Sequence, residues 1–213
     1  MPQQRISIEQ ALAIAAKFQE TGKLQQAEGI LRQILQKNPK QPQALHLLGV
    51  IRGSQGKVDE AIALLAKAVG VNPRSAEALR NFGIALARAS RFAEAEQSYR
   101  RSLAIDDRQA ETHASLGNAL TALRRIGEAI ESFRRALALK PDHAAALNNL
   151  ALALDAQGRH GEAIATLGRL IAIQPTNAEA HYNLANALAA EFRFDAAEAS
   201  FGQALALDRK STV

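Results

Sequence analysis

Three asparagines, Asn81, Asn149 and Asn183, stand at multiples of 34 residues from one another, with Ser115 filling the step between the first two. A side-chain amide offers two donors and a carbonyl acceptor. Amides set out at a structural period can therefore hold the main chain of an extended peptide, whatever side chains that peptide carries. Asn118 and Asn186 repeat three residues after Ser115 and Asn183. The competing reading is internal: asparagine tolerates a solvated helix face, or bonds to its neighbours within a stack. The other candidates for chemistry are His46, His113, His143, His160 and His181. None meets a carboxylate at a metal-protease spacing such as HExxH. There is no cysteine for a thiolate site, no glycine-rich phosphate loop and no nucleophile signature around a serine or threonine. The sequence thus names no catalytic, cofactor-binding or metal-ligating residue, and it reads as a chain that is not an enzyme and takes no cofactor.

The elements that must position those amides show in the same period. Ala27, Ala61, Ala95, Ala129, Ala163 and Ala197 fall 34 residues apart, and each is followed four residues on by a bulky residue: Leu31, Leu65, Tyr99, Phe133, Leu167 and Phe201. Earlier in each unit a large apolar residue precedes a small one, as in Leu48-Gly49, Phe82-Gly83, Leu116-Gly117 and Leu150-Ala151. Pro39, Pro73, Pro141 and Pro175 keep the same phase, with Asp107 in the gap. Self-similarity at this period is the mark of a solenoid of helical hairpins. The units are 8–41, 42–75, 76–109, 110–143, 144–177 and 178–211, after a lead-in of 1–7 and before a tail of 212–213.

In the fifth unit the pattern predicts a helix A over Ala144–Gln157 and a helix B over Gly161–Ile173. Gly158 stops the first, as Gly22 and Gly56 do in their units, because glycine reaches left-handed angles cheaply. Ser90, Arg124 and Phe192 hold that place elsewhere. They are expected to be strained by about 1–2 kcal/mol each if the turn is kept, unless it is rebuilt. The prolines end helix B; Arg209 replaces the last of them, so the sixth helix B is expected to run on or fray. Ser7 is placed to cap the first helix. Leu147, Leu150, Ala151 and Leu154 form the packing stripe of helix A, and Ala163, Leu167, Leu170 and Ile173 that of helix B.

These columns resemble the tetratricopeptide repeat (TPR) family over nearly the whole chain. The resemblance implies an all-α fold: a right-handed α-solenoid of six helix-turn-helix units, about twelve helices and no strands. It further implies a non-catalytic protein–protein interaction scaffold, whose helix A lines a concave groove for an extended peptide or protein segment. Helical arithmetic puts Ala145, Asn149, Leu152 and Ala156 opposite the packing stripe, with Glu77, Asn81, Ile84 and Arg88 matching them in the third unit. The expected groove residues are Arg80, Asn81, Ile84, Arg88, Asn118, Asn148, Asn149, Leu152, Tyr182, Asn183 and Asn186, with Val50 extending the apolar strip. The asparagine register is similar to the ladder in the TPR superhelix of O-linked N-acetylglucosamine transferase, although Ala13 and Leu47 interrupt it. The carboxylate clamp of chaperone-binding members is not rebuilt, since Glu77, Ala114 and Asn148 stand at its lysine positions. His113 and His181 share one position and read as core-edge residues. Glu77, Glu111 and Glu179 lie in first turns, where they complement the helix dipole.

The formal net charge of +5 is spread over the repeats, which argues against a nucleic-acid partner. Arg100-Arg101 and Arg134-Arg135, with Lys67 and Arg169, form either a stripe for an acidic partner or a solvated face. MPQQRISIEQ lacks the layout of a signal peptide, and no apolar run approaches the ~20 residues of a membrane span. The expectation is a cytoplasmic chain that does not engage membrane. After Leu207 only a short polar stretch follows, so Ala197, Phe201, Ala204 and Leu205 are expected to be left uncovered for self-association. Two alternatives therefore stay open: a homo-oligomer or end-to-end assembly through the C-terminal repeat, and the N-terminal targeting arm of a larger glycosyltransferase, sulfotransferase or methyltransferase. The second comes from the family resemblance alone.

Overall fold

The computed structural model describes residues 6–211, with side chains through residue 208. Residues 1–5 of the expected lead-in and the tail 212–213 lie outside the described residues. The chain forms α1 (Ile8–Glu20), α2 (Leu24–Lys37), α3 (Pro42–Ser54), α4 (Val58–Val71), α5 (Ala76–Arg88) and α6 (Phe92–Ile105). It continues with α7 (Ala110–Ala122), α8 (Ile126–Leu139), α9 (Ala144–Asp155), α10 (His160–Ile173), α11 (Ala178–Ala190) and α12 (Phe194–Ser211). There is no strand among the described residues. Two helices fall in every 34-residue repeat: the odd-numbered are the A helices and the even-numbered the B helices. The chain divides into two compact units, Met1–Asp107 and Arg108–Val213, each holding three hairpins.

Each hairpin closes on the columns read from the sequence. The repeated alanine of helix B is buried in all six repeats, from Ala27 at 0% exposed to Ala197 at 3%. A side chain larger than a methyl group has no room where two helix backbones pass this closely. The small residue of helix A faces the bulky one of helix B: a methyl group built on Gly83 would fall 2.6 Å from Cε1 of Tyr99, and one on Gly49 would fall 2.7 Å from Cγ of Leu65. Within the first unit Leu31 packs with Ala44, Leu48 and Ile51, and Leu65 with Ala61 and Ala85. In the second unit Phe133, Leu147, Leu154, Leu167 and Leu170 are buried. Burying each such side chain favours the fold by about 1.5–3 kcal/mol.

The A-to-B turn keeps one geometry in all six hairpins. Gly22, Gly56 and Gly158 take φ of 72°, 77° and 72°; Ser90, Arg124 and Phe192 take 58°, 61° and 60°. The turn is kept rather than rebuilt because a hydrogen bond spans it each time: Lys23 N–H donates to the Phe18 carbonyl (2.8 Å), Arg91 to Leu86 (2.9 Å), Arg125 to Leu120 (2.9 Å) and Arg193 to Leu188 (3.0 Å). That bond satisfies a carbonyl the helix end would otherwise leave free. Ser7 caps α1 as expected, in a reciprocal box with Gln10.

Two sequence expectations need correction. α9 ends at Asp155 and not at Gln157, and α10 starts at His160, because the turn through Gly158 takes the last two residues of the expected helix. Ile173 is 44% exposed: α10 stops there, so no further turn covers it, and Val71 and Ile105 are exposed at the same place. With Arg209 in the proline column, α12 runs on, one of the two outcomes expected of it, and remains helical through Ser211.

Candidate functional site

The amides lie on the A helices, on the side away from the packing stripe. In the second unit Asn118 of α7, Asn148 and Asn149 of α9, and Asn183 of α11 stand on three successive A helices. Asn149 Nδ2 donates to Asn118 Oδ1 at 2.7 Å, and Asn183 Nδ2 donates to Asn148 Oδ1 at 3.2 Å. Asn148 Nδ2 in turn donates to Glu179 Oε1 at 3.1 Å. The register from the sequence and the internal bonding it competed with are therefore both present. Asn149 uses one N–H of its four hydrogen-bonding sites, and so does Asn183. Each keeps a second N–H and a carbonyl for a ligand. Asn186 and Leu152 are exposed on the same helices, and Ser115 is half-buried.

In the first unit Asn81 of α5 is tied to α3: its Nδ2 lies 2.7 Å from His46 Nε2. His46 is buried. Burial holds its imidazole below the ordinary histidine value; Glu77 acts in the opposite sense and Arg80 in the same sense. A neutral ring accepting from the amide at Nε2 carries its own hydrogen on Nδ1. Beside Asn81, a hollow of about 210 Å³ is lined by Val50, Ile84 and Arg88, so the apolar strip expected from the sequence shares one recess with the amide. Arg88 does not point freely into it, because its Nη1 donates to the Gly53 carbonyl at 2.9 Å. Arg80 stays within 3.9 Å of Glu77.

Tyr182 is placed differently from the expectation. Its ring stands edge-on to Phe201 at 5.6 Å, and both line a hollow of about 480 Å³ with Leu205 and Ala204. Ala197 and Ala204 are buried inside the last hairpin, while Phe201 and Leu205 are 37% and 53% exposed. Of the four residues expected to be uncovered, the two large ones are exposed and the two small ones are buried.

Three arginines of the stripe are engaged in bonds. Arg100 bonds Glu96 at 2.8 Å, Arg134 bonds Glu131 at 3.1 Å and Glu162 at 2.9 Å, and Arg169 donates to the Pro141 carbonyl. Among the described residues no group of three or more His, Cys, Asp or Glu could hold a metal ion. No helix among them is long and apolar enough to cross a membrane. Sequence reasoning missed His46 as the partner of Asn81 and Glu179 as the partner of Asn148. The pairs are 35 and 31 residues apart, neither of them the 34-residue period, so the repeat pattern gave no signal for them.

A tetratricopeptide repeat family model matches residues 12–70, 46–110 and 115–178, and a second tetratricopeptide repeat model matches 156–213. No curated protein matches the sequence. Among solved structures, one of MamA is 27% identical with a TM-score of 0.74, covering 77% of this chain and 96% of that one. PilF of Pseudomonas aeruginosa is 20% identical, with a TM-score of 0.81 over 95% of this chain and 90% of that one. YrrB, described as a TPR protein with an unusual peptide-binding site, is 19% identical, with a TM-score of 0.75 over 83% of this chain and 91% of that one. The last two likenesses concern the fold alone.

Proposed function

The chain belongs to the tetratricopeptide repeat family, whose members are protein-interaction scaffolds, and we propose that it binds an extended segment of a protein partner along the exposed faces of its A helices. The observation that carries this reading is the set of amides on α7, α9 and α11. Asn149 and Asn183 are each steadied by a neighbouring amide and each keeps donor and acceptor capacity. Oriented in this way, they lose little freedom on binding, which is where affinity is usually lost. Main-chain recognition of this kind accepts many sequences; Leu152, exposed on α9 in the same unit, would add apolar preference. The peptide-binding site named for YrrB is consistent with such a role on this fold. In this reading the chain is a non-catalytic scaffold that needs no cofactor.

The test begins with peptides selected from a random display library against the purified chain. The affinity of a selected peptide is then measured for wild type and for the Asn149→Ala, Asn183→Ala double variant. Two lost hydrogen bonds at about 0.5–1.5 kcal/mol each correspond to roughly tenfold weaker binding, with helicity unchanged by circular dichroism. Equal affinities for the two proteins would overturn the reading.

A further inference from the structure

The first unit holds a polar hollow that the amides of α7, α9 and α11 do not use. It lies where the first turns of α3 and α5 meet the end of α4, measures about 330 Å³, and its polar lining is Gln41, Gln43, His46, Asn72, Ser75 and Glu77. His46 is 7% exposed. Its Nε2 is taken by the Asn81 amide, so the ring carries its hydrogen on Nδ1. That hydrogen has no partner among the described residues. A buried donor without a partner is costly, and the hollow is where a partner can reach it.

The other walls have bonding capacity to spare. Gln41 Oε1 accepts from the N–H groups of Gln43 and Ala44, which leaves the two hydrogens of its own amide nitrogen. Ser75 Oγ accepts from the Ala78 N–H at 3.2 Å, which leaves its hydroxyl hydrogen. Glu77 supplies acceptors, with Arg80 no nearer than 3.9 Å. The side chains of Gln43 and Asn72 make no hydrogen bond among the described residues.

In the second unit the same repeat positions bond one another. Glu111, Lys140 and His143 stand two repeats after Gln43, Asn72 and Ser75. There Lys140 Nζ and His143 Nε2 lie 3.6 and 3.1 Å from the Glu111 carboxylate. One repeat further, Asn177 Nδ2 donates to Gln174 Oε1 at 2.9 Å. At α3 and α5 no such bonds form, and the polar groups surround open space.

We propose that this hollow binds a primary carboxamide, the side chain of a glutamine or asparagine in a protein segment. Its oxygen accepts from His46 Nδ1, the Ser75 hydroxyl or the Gln41 amide, and its NH2 donates to Glu77. A carboxylate would meet the charge of Glu77. An ammonium group would satisfy Glu77 but face the hydrogens of His46, Ser75 and Gln41 with no acceptor to offer them. The inference shares with the proposed function a polypeptide ligand and nothing else, since the residues are different.

The probe is N-acetyl-glutamine N-methylamide, titrated into the ¹⁵N-labelled full chain and followed by NMR, which reads the weak binding expected of so small a ligand. Saturable shifts are expected at the backbone amides of Asn72, Ser75 and Glu77. The glutamate, lysine and serine analogues should bind at least fivefold more weakly, and His46→Phe should weaken the glutamine probe by as much. Glu77→Lys changes an exposed residue and should reverse the order, so that the glutamate analogue binds more tightly than the glutamine one. The Asn149→Ala, Asn183→Ala protein should bind the glutamine probe as wild type does, which keeps this test apart from that of the amides. No saturable shift at these residues up to the solubility limit of the probe overturns the proposal. So does equal binding of any of the other three analogues, or an order that Glu77→Lys leaves unchanged.

Discussion

Asn149 donates an amide hydrogen to the carbonyl of Asn118 on the preceding A helix, over 2.7 Å. The bond fixes which way each amide faces. Left free, a surface asparagine turns about two side-chain bonds; held here, Asn149 presents its remaining N–H and carbonyl in one orientation. Asn183 is held by Asn148 in the same manner, and Asn148 by Glu179. A series of fixed amides on one side of three consecutive helices supports the reading of main-chain recognition better than the register of asparagines does alone.

Gly117 and Phe133 give a prediction about packing. A methyl group on Gly117 would meet Cε1 of Phe133 at 2.5 Å, with Cδ1 at 2.7 Å, and Phe133 is fully buried. The ring has nowhere to turn. Gly117→Ala gains about 1 kcal/mol in helix propensity yet is expected to destabilise the chain by about 1–3 kcal/mol through overpacking. The midpoint of urea unfolding checks this: the variant should unfold earlier, although the same exchange on an open helix face would delay unfolding.

The left-handed turns give a prediction of opposite sign. Arg124 is exposed and sits at φ 61°, where a side chain costs about 1–2 kcal/mol and glycine costs little. Arg124→Gly relieves that strain but frees the unfolded chain by a smaller amount. A net gain of up to about 1 kcal/mol is expected, read as a rise in Tm, and the same substitution at exposed Arg135, inside α8, should lower it.

His46 makes stability depend on pH. Burial lowers its folded-state value below that of the unfolded chain. Between the two values the unfolded chain therefore binds more protons, and stability rises with pH. This contribution is intact above about pH 6.5, the unfolded histidine value, and is lost as pH falls below it towards the depressed folded value. Protonation also removes the acceptor at Nε2 that receives the Asn81 amide. Urea midpoints at pH 7.5 and 5.5 should fall further for wild type than for His46→Gln. An equal fall in both would show that His46 does not carry the effect.

What the sequence revealed and what it hid divide along physical lines. The fold was legible because the packing columns recur: Ala163, Leu167 and Gly158 each have five counterparts in phase, and a solenoid asks the same of every repeat. The exposed side of the A helices followed from the same arithmetic. The partners of the amides did not, because His46 with Asn81 and Asn148 with Glu179 join different repeats. Their pairing depends on side-chain reach across two helices, which periodicity does not encode. Ile173 was misread because the pattern carries no information about where a neighbour stops covering the helix. Tyr182 was assigned to the amide face by its place in the register, whereas its ring lies against Phe201.

The central claim, recognition through the peptide main chain, is tested most directly by changing the ligand's backbone and leaving its side chains alone. A selected peptide would be compared by calorimetry with versions N-methylated at one residue at a time. The account predicts that methylation at residues facing Asn149 and Asn183 weakens binding to wild type about tenfold, and has much less effect on binding to the Asn149→Ala, Asn183→Ala protein. Full affinity of every N-methylated peptide for wild type would contradict it.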